Sequence, residues 1–438
     1  MAPGDLTSID QVVHQITTAN SIPALNATLR NGLPKDTRDH ILASVLPGGQ
    51  DPLSVLDVKE NTLGVLYILT ARMTVQGAPQ PPWPVVLDFC RNFSPEQARL
   101  APDRVTILAK GIKSIASQSN SLRLAIQPLY NLVSRYPPDP SFLTTIHAIF
   151  LTTCVTTRQF VEALPVLENP IFNVDTNLSD LHYNDNLIYH YTGGIALAAL
   201  KRWPEAEEYF EICVTSPGTY PTALQMEALK KLKLVQLISI GKTSPLPKYT
   251  HPLLLRLFKN TSYHAFINAY PQSTELLHEI YDKERQTFSA EKNLGLISQA
   301  VARAPRWVLK KLTATYVTLH LADIGKAIKI GSEDEVRGLL LSMIESNDIS
   351  AQISADGTVT FSDPPPQFTK EQVDEALLDV QQQTALLGYL EQETGRSKEF
   401  LNKAVKLRDD SPWAPTADEE MFVSMSGSQA MWEETVFS

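Results

Sequence analysis

Cysteine, long apolar runs and positive charge are all scarce in this chain, and each scarcity removes a class of function. Only three cysteines occur in 438 residues, and Cys90, Cys154 and Cys213 stand isolated from one another. They form no CxxC pair, so neither a zinc knuckle nor a disulfide framework is expected, and reduced thiols inside the cell fit better. The longest nearly unbroken apolar run, LGVLYIL at 63–69, is too short to span a bilayer. The first residues, MAPGDLTSIDQVVHQITTAN, carry no basic n-region and no long apolar segment, which argues against a signal peptide. Lys and Arg number 38 against 48 Asp and Glu, a net charge of −10, which speaks against a nucleic-acid binder held by phosphate contacts. A soluble intracellular chain of about two to four domains is the expectation.

Catalytic signatures are equally sparse. LISIGKTS (237–244) and AKGIKS (109–114) look like phosphate-loop fragments, but such a loop needs a glycine five residues before Gly241, and Gln236 stands there. A helix C-terminus capped by Gly241 explains the first string more simply. His278-Glu279 lacks the second histidine of HExxH, and no HxH pair occurs. His182 and His190 lie among Tyr183, Tyr189 and Tyr191, where aromatic packing between helices is the expected cause. No GxSxG, Cys–His constellation or Gly-rich dinucleotide loop is present. No catalytic, cofactor-binding or metal-ligating residue is therefore expected.

What the chain has is helical periodicity. Ile9, Val12, Val13 and Ile16 share one helical face behind a capping box of Ser8 and Gln11. Pro- and Gly-rich breaks at 46–52, 76–84, 135–140 and 215–221 punctuate further helices up to about residue 245. The stretch PPWP within the second break reads as an inter-helix loop rather than a polyproline ligand. LRLAIQPLYNLV, FVEALPVLENP and WPEAEEYFEICV each place a small residue (Ala125, Ala163, Ala206) four positions before a large apolar one (Leu129, Leu167, Phe210). With Gly194 twelve residues before Ala206, the last resembles a degenerate tetratricopeptide unit, and irregular repeats of this kind stack into a solenoid that serves binding.

Residues 306–363 change character. RWVLKKLTATYVTLHLADIGKAIKI reads as a helix, or two broken near Gly325, and Ser332 with Glu335 caps the helix that follows. AQISADGTVTF (351–361) then alternates as a hairpin. A three-residue loop, Ala355-Asp356-Gly357, pairs Ile353 with Val359 and Ala351 with Phe361, gathers the apolar side chains on one face and puts Gly357 where a left-handed residue is needed. Helices followed by such a hairpin make a winged helix. Seven acids stand against Arg337 alone between 331 and 363, so this module is expected to meet protein rather than DNA. Its exposed edge, with Ile353, Thr358, Val359 and Thr360, is the first candidate interface. The second is the seam of Val373, Leu377, Val380, Thr384 and Leu387 in the next helix. The acidic segment after about Arg408 shows no period and reads as disordered.

The expected organisation is a mainly α chain: a helical-repeat solenoid over 1–245, a domain over 246–363 that resembles a PCI domain in running from helices into a winged helix at about 306–363, a C-terminal helical segment over 364–407, and a tail over 408–438. LDVKENTLGVLYIL (56–69), YHYTGGIALAALKRWPEAEEYFEICVTSP (189–217), EALKKLKLVQLISIGKTSPLPKYT (227–250), EKNLGLISQAV (291–301) and DGTVTFSD (356–363) resemble the subunit 3 family of the constitutive photomorphogenesis 9 signalosome. The resemblance covers most of residues 6–405. It implies a non-catalytic scaffold in an assembly that removes Nedd8 from the cullins of cullin-RING ligases, without cofactor, nucleic acid or membrane. It further implies partnership with other PCI subunits and, through the complex, with a metalloprotease subunit, in cytoplasm and nucleus. The architecture alone also fits a PCI subunit of the proteasome lid or of translation initiation factor three, or less readily a nucleic-acid-binding winged helix.

Overall fold

The computed structural model describes residues 6–272, 274–362 and 368–402, so the acidic tail lies outside the described residues. The chain divides into two compact units, one formed by the residues up to 348 with 352–360, the other by 349–351 with those from 361 onward. In the first, one apolar core runs from Leu6 to Ala304 through successive helices. Helix α1 (Ile9–Thr18) buries the four residues of the expected face. Its cap differs in detail: the Ser8 side chain makes no cap bond, and the Gln11 side-chain Oε1 accepts the Thr7 N–H at 3.0 Å instead. The LGVLYIL run forms α2 (Thr62–Thr74), buried along nearly its whole length, as a helix apolar on every side requires.

The three small-to-large segments are all core. Ala125, Ala163 and Ala206 are buried, as are their partners Leu129, Leu167 and Phe210. Two of them open as 3-10 turns, Leu122–Ala125 and Val161–Ala163, and the third is one continuous helix, which is how the repeats come to be irregular. Helix α3 (Thr145–Thr156) starts at Thr144, whose N–H donates to His147 Nδ1 at 3.1 Å. The helices α4 (Tyr183–Ala199) and α5 (Trp203–Thr215) pack through glycine. A Cβ on Gly194 would stand 2.8 Å from the Phe210 ring, and one on Gly193 2.7 Å from Tyr209. Gly194→Val should therefore cost about 1–3 kcal/mol through overpacking, read as a lower urea midpoint.

The histidines of HYNDNLIYHY separate. His190 is buried against Tyr189 and Tyr209, His147 joins Tyr189 from α3, and His182 stays exposed at the α4 N-terminus. Burial pulls the His147 pKa down to about 4. The unfolded chain thus takes up a proton near pH 6.5 that the native state refuses until about 4. Stability is lost as pH falls through that window, by about 2 kcal/mol at pH 5 relative to pH 7 from this group alone. Denaturation at the two pH values, compared with His147→Gln, measures it.

Helix α6 (Ala223–Ile240) ends at Gly241, which is left-handed at φ 75° and donates its N–H to the Leu237 carbonyl, so the GKTS string is a helix terminus. Helix α7 (Leu294–Thr313) runs straight through Pro305, because Ile297, Ala300, Ala304 and Leu309 keep one face buried on both sides of the proline. Neither the single helix nor the break near Gly325 is found. The chain leaves α7 at Thr313, forms strand β1 (Thr318–His320), then α8 (Leu321–Ile328), with Gly325 inside it. Gly325 serves close approach: a Cβ there would lie 2.8 Å from the Ile330 carbonyl oxygen, where the chain turns back. Helix α9 (Glu333–Glu345) follows, capped by Ser332, whose side chain accepts the Glu335 N–H. Strands β2 (Ser350–Ile353) and β3 (Thr358–Ser362) close the module in the order β1-β3-β2.

Candidate protein interface

The wing has the expected register. Ser354 donates its N–H to the Thr358 carbonyl at 2.8 Å, and the Ser350 and Ser362 hydroxyls meet across the strands at 2.8 Å. Ile353 therefore faces Val359 and Ala351 faces Phe361. Gly357 takes the left-handed conformation at φ 83°. Val359 and Phe361 are buried on the shared apolar face.

The strand taken for the edge is not one. β3 pairs antiparallel with β1, Thr318 opposite Thr360, Leu319 opposite Val359 and His320 opposite Thr358, so β3 is the central strand. Thr358, Val359 and Thr360 are thus placed inside the sheet, with Val359 0% exposed, and of the four expected edge residues only Ile353 lies on an edge strand. The difference comes from β1, whose trace in the sequence is only the adjacent β-branched pair Val317-Thr318 ahead of a capping histidine. His320 caps α8, accepting the Ala322 N–H at Nδ1, while its Nε2 sits 3.0 Å from the Asp356 carbonyl and its ring covers Gly357. Hydrogen bonds from Thr358 hold the Asp356 carboxyl below its ordinary pKa.

Among the described residues the sheet edges are β1 and β2. Because the Ser354 N–H turns toward β3, alternation turns the Ala351 and Ile353 N–H groups outward. Thr360→Pro should remove a ladder bond from the central strand and cost about 1–3 kcal/mol, whereas Ala351→Pro should leave the module folded. Thermal unfolding of the two variants gives the comparison, and equal losses would overturn the strand order.

Helix α10 (Lys370–Arg396) is capped by Thr369 and Gln372 and buries none of its residues. Val373, Leu377, Leu378, Val380, Leu386, Leu387, Tyr389 and Leu390 are all exposed. At about 100° per residue, Val373, Leu377, Val380 and Leu387 fall within one narrow arc, as expected. Leu378, Leu386 and Tyr389 form a second stripe on the opposite side, which the seven-residue pattern did not reveal. A helix apolar on two faces suits a position between two neighbours.

The charge at the winged helix opposes a nucleic-acid backbone. The first turn of α9, the helix that would enter a groove, carries Glu333, Asp334 and Glu335. Among the described residues no cluster of His, Cys, Asp and Glu could hold a metal, and no helix is long and apolar enough to cross a membrane. Burial raises the thiol pKa of Cys154 and Cys213 to about 12 and that of Cys90 further still, so none is a poised nucleophile.

Helical repeats feeding a winged helix define a PCI-domain protein, and residues 269–363 match the PCI domain. Residues 34–254 match the family described as COP9 signalosome complex subunit 3, N-terminal helical repeats. The chain belongs to that family. It is similar to COP9 signalosome complex subunit 3 of Drosophila melanogaster, at 28% identity over 386 residues, covering 82% of this chain and 86% of the relative. It is likewise similar to COP9 signalosome complex subunit 3 of Dictyostelium discoideum, at 30% identity over 324 residues, covering 71% and 76%. Membership makes the chain a non-catalytic scaffold subunit of a multi-subunit complex rather than an enzyme.

Proposed function

We propose that this chain is built into the signalosome that removes Nedd8 from cullins, acting in cytoplasm and nucleus as a scaffold that joins other PCI subunits. Two surfaces carry the assembly. The outward N–H groups of β2, at Ala351 and Ile353, offer an edge to a neighbour's strand. The two stripes of α10 offer its apolar residues to a helix bundle, with Val373, Leu377, Val380 and Leu387 on one side. The metalloprotease subunit and the cullin-RING ligases are reached through the assembled complex.

The observation that carries this reading is α10 itself: 27 residues of helix with no buried side chain, which water alone does not favour. The test is affinity purification of the tagged full chain from its own cells. The wild type should recover the metalloprotease subunit and the other PCI subunits in near-equal amounts. Leu377→Glu combined with Leu387→Glu should cut that recovery by about tenfold or more while leaving the rest of the chain folded. Recovery of proteasome-lid or initiation-factor subunits, or full assembly by the double variant, would overturn it.

A further inference from the structure

A cavity of about 370 Å³ opens among the helical repeats, lined by Lys59, Phe93, Ser94, Glu96, Arg99 and Arg135 together with Asn92 and Pro95. In a chain of net charge −10 it gathers three cations against one carboxylate. Both arginines are half-buried and tethered. Arg99 donates its Nε–H to the Tyr136 carbonyl at 2.8 Å. Arg135 donates from Nη2 to the Phe93 carbonyl at 3.0 Å and lies over the Phe93 ring, 5.0 Å from its centroid. Tyr136 and Phe93 are themselves fully buried, so each tether is anchored in the core. Among the described residues neither arginine, nor Lys59, forms an ion pair, whereas the buried Arg72 and Arg104 pair with Asp51 and Asp39.

These two arginines are thus held in place by one N–H each, and among the described residues neither guanidinium makes a further hydrogen bond. That is the preorganised fork that recognises planar or tetrahedral oxyanions in bidentate fashion. The charge favours one class over another. Lys59, Arg99 and Arg135 less Glu96 leave +2, which a phosphate monoester, at about −1.5 to −2 near neutral pH, balances better than a single carboxylate does. We infer that this cavity is a binding site for a phosphate monoester, with Arg99 and Arg135 as the paired forks and Lys59 at the open side.

The test is calorimetric titration of the purified full chain with Ala-Ala-phosphoserine-Ala-Ala, the same peptide bearing aspartate or plain serine, and inorganic phosphate. The phosphopeptide should bind and the serine peptide should not. Arg99→Gln and Arg135→Gln should each weaken binding by about tenfold or more, and Glu96→Gln should strengthen it. Lys59 is exposed, so Lys59→Glu supplies the same reading if an arginine variant unfolds. Phosphopeptide binding tighter than inorganic phosphate would identify a phosphorylated protein segment as the source, and equal binding a free phosphate compound; either supports the site. Aspartate binding as tightly as phosphoserine, no binding of any phosphate probe, or affinity unchanged in all these variants would overturn it.

Discussion

Lys230 holds the repeats to the winged-helix region. From α6 its ammonium reaches Glu227 on its own helix and Glu291 just before α7, each at 2.7 Å. Glu291 also accepts the Tyr263 hydroxyl at 2.6 Å, and Tyr263 in turn accepts a hydrogen bond from Asn293, the fully buried residue that opens α7. Burial works against the Lys230 charge, yet its hydrogen bonds to the two glutamates outweigh it and raise the pKa. Burial pulls Lys231 and Lys233 down to about 8: Lys231 stands 3.8 Å from its carboxylate, Glu227, and Lys233 donates only to the neutral Ser244 carbonyl and Gln236 side chain. The contrast shows how much of a buried cation's stability comes from its partners. Two further contacts reinforce the joint: Trp307 covers Gly241, and the Arg303 guanidinium donates to the Ile238 carbonyl at 2.9 Å.

The joint explains why α7 persists through Pro305. A proline inside a helix removes one backbone bond and clashes with the preceding turn. Here the helix is anchored on both sides of the proline, by Asn293 and Ile297 before it and by Trp307 and Leu309 after it. Tertiary contact outweighs the local cost. The same helix therefore touches both sides: Trp307 covers Gly241 at the end of α6, and the neighbouring Arg306 donates to the Ser342 hydroxyl of α9 at 2.7 Å.

Much of this was legible in the sequence where periodicity and turn chemistry act alone. The α1 face, the small-to-large pairs, the Gly241 terminus and the three-residue wing loop each rest on one local rule. The central position of β3 does not. A three-residue strand such as Thr318–His320 is too short to show a period, and its partner lies about forty residues away. Without it Thr358, Val359 and Thr360 read as an edge. The repeat assignment, similarly, could not distinguish 3-10 openings from helix, since both bury an alanine at the same place. The cavity with Arg99 and Arg135 left no trace in sequence, because its cations come from separate turns that only packing brings together.

The exposed faces of α10 have a consequence for the life of the free subunit. Eight large apolar side chains on one helix are what chaperones and degradation machinery recognise in an unassembled chain. Translation in excess of partners would yield molecules that are folded through their repeats yet marked at one end as incomplete. Whatever covers the helix would then also protect the chain from that recognition.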